Sequence, residues 1–262
     1  MSAAPVLFAV EDGIATLTLN RPDAGNAIDL PMARALADLT IRCQTDRAVR
    51  CVVLTGAGRL FCAGGDVSVM AAAGERVEAV LSELAGTLHL ALERLAGMAK
   101  PLLNLINGPA AGAGVGIALA GDVVLCARSA HFTPAYGTLG LTPDGGLTWL
   151  LPRLVGLRKA QEIILTNRRI KAPEAEAIGM VTRVVDDEAL ATEGHAAAVA
   201  LAASATGAIG VTRRLLHESF STGLETQLEH EARGISSAGA SAEGHEGLAA
   251  YLAKRAPDFK GA

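Results

Sequence analysis

Between Asn107 and Asp122 the chain reads N-G-P-A-A-G-A-G-V-G-I-A-L-A-G-D, directly after a short apolar run, Leu102 to Ile106. Side chains this small let a ligand, or another stretch of backbone, come right up to the main chain, and glycine accepts the dihedrals of a sharp turn. The helix-compatible composition of Val115 to Ala120 predicts strand, tight turn, helix. The unpaired N–H groups of a helix start then sit at the mouth of a turn with no side chains in the way. Such groups can hold a phosphate, or a carbonyl oxygen that becomes negative during a reaction. A second glycine-rich loop, G-A-G-R-L-F-C-A-G-G-D, runs from Gly56 to Asp66, and L-G-L-T-P-D-G-G, from Leu139 to Gly146, places an acid, Asp144, before a glycine pair. A dinucleotide fingerprint is the obvious rival for Gly112 to Gly116, but its context is wrong. Those glycines should follow the first strand of a domain, with an acid about 20 residues on for the ribose; here they are mid-chain, and Tyr136 occupies the acid's position.

The elements that must position these turns follow from patterning. Val6 to Val10 and Ile14 to Leu19 are strand-type runs joined by E-D-G, a hairpin signal. Asp29 is the expected N-cap of a helix through Met32, Leu36, Leu39 and Cys43. A strand over Arg50 to Thr55, a helix from Val77 to Met98 and a strand from Val123 to Ala127 complete the alternation. Phe132 to Pro143 reads as irregular, Asp144 as the cap of the next helix, and Arg169-Ile170 and Met180 to Val185 as further strand pieces around a short helix begun at Pro173. Beyond Asp187 the chain is helical and alanine-rich, with breaks expected at Gly207, Gly223 and Gly239. Residues 1–200 are read as the core and 201–262 as a C-terminal helical region that packs between subunits.

Composition narrows the function. The 262 residues are 50% hydrophobic, 3% aromatic and carry a formal net charge of −4, so the core is aliphatic and alanine-rich. With no basic run beyond pairs such as Arg168-Arg169 and Arg213-Arg214, nucleic acid is not an expected partner. Cys43, Cys51, Cys62 and Cys126 have no C-x-x-C spacing and sit in apolar contexts, as reduced intracellular thiols do. His131, His195, His217, His230 and His245 show no metal spacing, so no metal is expected. The N-terminus lacks a basic, apolar leader pattern, and the run after Pro109 meets Asp122 too early to span a bilayer. A cytoplasmic protein without a membrane partner is expected.

Taken together, F-C-A-G-G-D (61–66), N-G-P-A-A-G-A-G (107–114) and L-G-L-T-P-D-G-G (139–146) resemble the enoyl-CoA hydratase/isomerase, or crotonase, family, and they come in its order and spacing. The similarity runs from L-N-R-P-D-A-G-N-A-I to the closing R-A-P-D-F-K-G. It implies an α/β fold: a ββα spiral with two roughly perpendicular sheets and a C-terminal helical trimerisation region, assembled as a homotrimer or dimer of trimers. It also implies an acyl-CoA thioester as substrate and no separate cofactor. The resemblance gives the turns a joint task, in which the N–H groups of Gly65 and Ala113 form an oxyanion hole for the thioester carbonyl. Alanine at 113 is a mild departure, since many relatives carry glycine. Substrate contacts are expected at Ala27, Ala63, Asp66, Val67, His89, Gly114 and Tyr136, with Asp66 also capping the next helix. Arg21, Lys254 and Lys260 are candidates to meet the CoA phosphates.

The same resemblance separates the chemistries. The two glutamates with which family hydratases activate water fall at Gly116 and at or beside Tyr136, and neither is a carboxylate here. Isomerases that act on enoyl-CoAs and on ring-epoxide or oxepin-CoA esters are similar at Asp144 and use an aspartate there. Asp144, packed against Leu139, Leu141 and Trp149, is therefore expected to move a proton along an allylic system and shift a double bond. Halobenzoyl-CoA dehalogenases are similar at Asp144, Tyr136 and His89, but carry Trp at the tyrosine. Enoyl-CoA hydratase, aryl-CoA dehalogenase and a non-catalytic acyl-CoA-binding relative are the alternatives.

Overall fold

The computed structural model describes residues 4–261. The chain opens with a hairpin: β1 (Val6–Glu11) and β2 (Ile14–Leu19) pair antiparallel from Val6↔Leu19 to Glu11↔Ile14. Asp12 and Gly13 turn it with positive φ, 51° and 84°, the conformation a two-residue hairpin loop requires. Asp29 then caps α1 (Leu30–Thr45), its carboxylate accepting from Met32 N–H at 2.9 Å.

The chain continues through β3 (Cys51–Gly56), α2 (Val67–Ala72), α3 (Val77–Gly97), β4 (Leu102–Ile106), β5 (Ala110–Ala111), α4 (Ala113–Leu119), β6 (Val123–Ala127) and β7 (His131–Thr133). It then forms α5 (Leu147–Val155), α6 (Leu157–Leu165), β8 (Ile170–Lys171), α7 (Ala172–Ala177) and β9 (Arg183–Val185). Six strands form one sheet in the order β1-β2-β3-β4-β6-β9, parallel from β2 onward. A second, three-stranded sheet in the order β5-β7-β8 is made of very short strands. The α/β architecture with two sheets is thus as expected, with differences in detail. The segment read as irregular from Phe132 holds β7, and the strand expected over Met180 to Val185 is only Arg183–Val185. Both belong to strands too short to show a periodic signal.

Four helices follow: α8 (Leu190–Ala203), α9 (Thr206–Glu218), α10 (Leu224–Gly239) and α11 (Ala242–Leu252). Gly223 and Gly239 stand at breaks, but Gly207 lies inside the first turn of α9, and the chain bends at Ser204-Ala205 instead. Gly194 lets α8 close on the sheet, since a Cβ there would lie 2.6 Å from the Leu105 side chain. Among the described residues no single helix is long and apolar enough to cross a membrane.

Arg213 locks this helical region to the sheet. It is only 5% exposed. Its guanidinium donates to the carbonyls of Leu95 (2.9 Å), Met98 and Lys100 (2.8 Å) at the end of α3, and to Asp122 at 2.7 Å. Asp122 in turn accepts from the N–H of Leu102, at the start of β4 (2.7 Å). One buried cation therefore satisfies helix-end carbonyls that would otherwise be orphaned and orients the strand leading into the 107–122 turn. Arg213→Met is expected to destabilise the fold by about 3–5 kcal/mol, because it strands buried partners. At about 2–4 °C per kcal/mol, thermal unfolding should begin roughly 6–20 °C earlier. An unchanged Tm would contradict this role.

Candidate active site

The two glycine-rich turns are joined backbone to backbone. Cys62 bridges Ala110, the Ala111 N–H donates to Cys62 O (2.9 Å), and the Phe61 N–H donates to Pro109 O (3.1 Å). At Gly64, where φ is +91°, a Cβ would lie 2.7 Å from Ala111 O, and at Gly114 it would collide with the Cys62 carbonyl. The Asn26 side chain fastens the first turn from behind, donating to the carbonyls of Ala57 (2.9 Å), Leu60 (2.8 Å) and Phe61 (3.2 Å). The Cys62 thiol accepts the Gly64 N–H at 3.4 Å and donates to Asn26 O at 3.3 Å. Burial pushes that thiol up to about 12, so it serves as a neutral strut.

These contacts decide where the free amides point. Ile28 N–H donates to Gly64 O and Asp66 N–H donates to Ile28 O, so Gly65, between them, turns its own N–H to the opposite side. Ala113 is the first residue of α4, whose cap residue, Gly112, has φ +53°. Among the described residues, neither the Gly65 nor the Ala113 N–H donates to a protein acceptor. Both residues line one cavity of about 290 Å³. Met70 of α2 and Leu81, Leu84 and Leu88 of α3 make its apolar wall. Met70, Leu81 and Leu84 fall in the stretch around residues 68–86 on which the sequence places the depth of the acyl pocket, and Leu88 continues the same apolar spacing.

Asp144 lines the same cavity. Its carboxylate accepts a hydrogen bond from the Tyr136 hydroxyl at 2.6 Å. Tyr136 is buried, and burial foremost, then the adjacent Asp144 charge, raises its pKa and keeps the phenol protonated. Asp144 does not cap α5, contrary to expectation. Gly145 and Gly146 both have positive φ (60° and 76°), Gly146 is the cap residue, and Asp144 supports the helix start only through its backbone carbonyl, to Leu147 N–H at 3.1 Å. The glycine pair swings the carboxylate into the cavity instead. Leu139 and Leu141 line that cavity, but Trp149 does not: it is 42% exposed and stacks on His217 with ring centroids 5.8 Å apart.

Of the other expected contacts, Ala63, Val67 and Tyr136 line the cavity, whereas Ala27, Asp66, His89 and Gly114 do not. Asp66 caps α2 through Ser68 and pairs with Arg21 at 3.0 Å; the Ser68 hydrogen bond, then Arg21, holds its carboxyl below the usual range. Arg21 is also 3.3 Å from Asp29, so its charge is spent inside the protein rather than facing outward for a phosphate. Ala27 offers its carbonyl to the same arginine. Gly114 is held against Cys62, and His89 Nε2 accepts the Gly145 N–H at 3.1 Å from outside the cavity. Among the described residues no three His, Cys, Asp or Glu side chains converge as metal ligands.

Gly116 has no room for any side chain, because a Cβ there would collide with the Gly145 carbonyl. The turn bearing Asp144 fills the space a side chain at 116 would take. Gly116→Ala should therefore cost about 1–3 kcal/mol by overpacking, read as a lower Tm, and Gly116→Glu should not confer water addition to a 2-enoyl-CoA. A Gly116→Ala variant of unchanged Tm would show that the two backbones do not press together.

The chain is similar to known proteins along nearly its whole length. A family model described as enoyl-CoA hydratase/isomerase matches residues 9–262. The 1,2-epoxyphenylacetyl-CoA isomerase of Escherichia coli K12 is 40% identical over 98% of each chain. A 4-chlorobenzoyl coenzyme A dehalogenase of an Arthrobacter species is 35% identical over 86% of this chain and 82% of its own. The crystal structure of an enoyl-CoA hydratase from Polaromonas sp. JS666 superposes with a TM-score of 0.92 at 32% identity, covering 97% of this chain and 98% of that one. The chain belongs to the enoyl-CoA hydratase/isomerase family.

Proposed function

We propose that this enzyme shifts a double bond in an enoyl-CoA or a ring-derived CoA ester. The observation that carries the reading is the pairing, across one apolar cavity, of two free backbone amides with a single half-buried carboxylate. The thioester oxygen accepts from Gly65 and Ala113. As a C–H proton leaves for Asp144, negative charge moves onto that oxygen, and each preorganised donor lowers the barrier by ~3–4 kcal/mol. The protonated Asp144 then returns the proton to the other end of the allylic system, so the enzyme ends as it began and only the double bond has moved. Tyr136 donates to Asp144 throughout and keeps one carboxylate oxygen oriented. No metal or redox group enters these steps.

Three features support isomerisation over water addition. Position 116 has no side chain, Tyr136 keeps its proton, and one carboxylate is left to serve both ends of the transfer. The apolar lining suits a hydrocarbon or ring acyl group, as the name of the Escherichia coli relative also suggests. Phe220, Leu224, Ile235, Leu248 and Tyr251, exposed on or beside the C-terminal helices, support assembly of copies through residues 201–262, as trimers or paired trimers.

Asp144→Asn tests the reading. With a panel of 2-enoyl-, 3-enoyl- and ring-derived CoA esters, isomerisation should fall by ~10²–10⁴-fold, while calorimetric affinity for a CoA ester stays within about threefold, since the amides hold the thioester. Hydration of crotonyl-CoA at a rate indifferent to the substitution would establish a hydratase instead. Binding without turnover of any ester, even by the unmodified enzyme, would establish a non-catalytic acyl-CoA binder.

A further inference from the structure

His89 lies on the outer side of α3, exposed, yet it reaches the turn that carries the reactive carboxylate. Its Nε2 accepts the N–H of Gly145, the residue after Asp144, at 3.1 Å. Among the described residues that N–H has no other acceptor. Gly145 is also pinned from inside: a Cβ on it would lie 3.2 Å from Ala113 O, and its own carbonyl packs on Gly116. With φ +60° here and +76° at Gly146, this turn gains little stiffness from side chains of its own. Its placement depends on what it touches: α4 and His89 at Gly145, and the Tyr136 hydroxyl at Asp144.

We infer that His89 is a positioning residue, which fixes the distance between Asp144 and the Ala113 amide by holding Gly145. A ring nitrogen that accepts a hydrogen bond carries no proton, so the imidazole is the neutral tautomer protonated at Nδ1. The Nε2 lone pair is engaged by the backbone and is not the base that takes the substrate proton. The inference rests on the isomerase reading for its effect on rate, but not for the hydrogen bond itself.

Two variants and one spectrum test it. His89→Leu removes the acceptor, whereas His89→Gln presents an oxygen the same number of bonds from Cβ and cannot shuttle a proton. Misplacing a reacting group by about 1 Å can cost 10²-fold, so His89→Leu is expected to lower kcat about tenfold or more with KM within about twofold, and His89→Gln to recover most of the rate. In the unmodified enzyme without substrate, long-range proton–nitrogen correlation spectra should show His89 protonated at Nδ1 only. Wild-type kcat in His89→Leu would overturn the inference, as would a His89→Gln enzyme no better than the leucine variant, which would mean that the imidazole itself moves protons. A proton on Nε2 would overturn it whatever the reaction proves to be. Full activity in Asp144→Asn, by contrast, would remove the isomerase reading and leave the His89–Gly145 bond standing.

Discussion

Everything at this site depends on two turns touching through their main chains. Cys62 and Ala110 bridge, Gly64 meets Ala111, and Gly114 meets Cys62, with no side chain between them. At that separation the amides before and after the contact cannot both be satisfied by the partner turn. Among the described residues Gly65 and Ala113 are left with N–H groups that have no protein acceptor, and both residues line the same cavity. Free backbone donors in a largely apolar space are costly unless something accepts from them. In the proposed function a substrate oxygen is the acceptor that offsets this cost, and donors fixed in advance need no reorganisation when charge develops.

The remainder of the chain serves to keep that contact in place. Asn26 and the Cys62 thiol brace the first turn, and Arg213 ties α3, β4 and β6 to the helical region, so that the strand entering the second turn has a fixed start. A third turn closes the arrangement. Gly145 packs into the space opened by Gly116, which makes the placement of Asp144 a consequence of backbone packing against α4.

Much of this was legible in the sequence. The β1–β2 hairpin, the Asp29 cap and the strand over Leu102–Ile106 follow from local rules, because each is decided within a few residues. What failed was decided by backbone conformation or by partners far along the chain. Asp144 has the sequence context of a helix cap, but the positive φ values at Gly145 and Gly146 hand that task to Gly146 and free the carboxylate. Arg213 stands in the sequence only as half of a basic pair, and nothing local marks it as buried under contacts more than a hundred residues away in the chain. Arg21 looked available for phosphates until Asp29 and Asp66 were seen beside it. The short strands of the second sheet carry too few residues to show any period.

The central claim is that the Gly65 and Ala113 amides converge on one thioester oxygen, and the vibration of that carbonyl reports on it directly. Isotope-edited difference infrared spectra can be taken of a 2-enoyl-CoA labelled at the thioester carbonyl, bound to enzyme whose Asp144 has been replaced by Asn so that the complex persists. Two strong donors polarise the C=O bond, and the account predicts a stretch at clearly lower wavenumber in the complex than in water. A bound ester whose carbonyl absorbs where the free ester does, or higher, would contradict it.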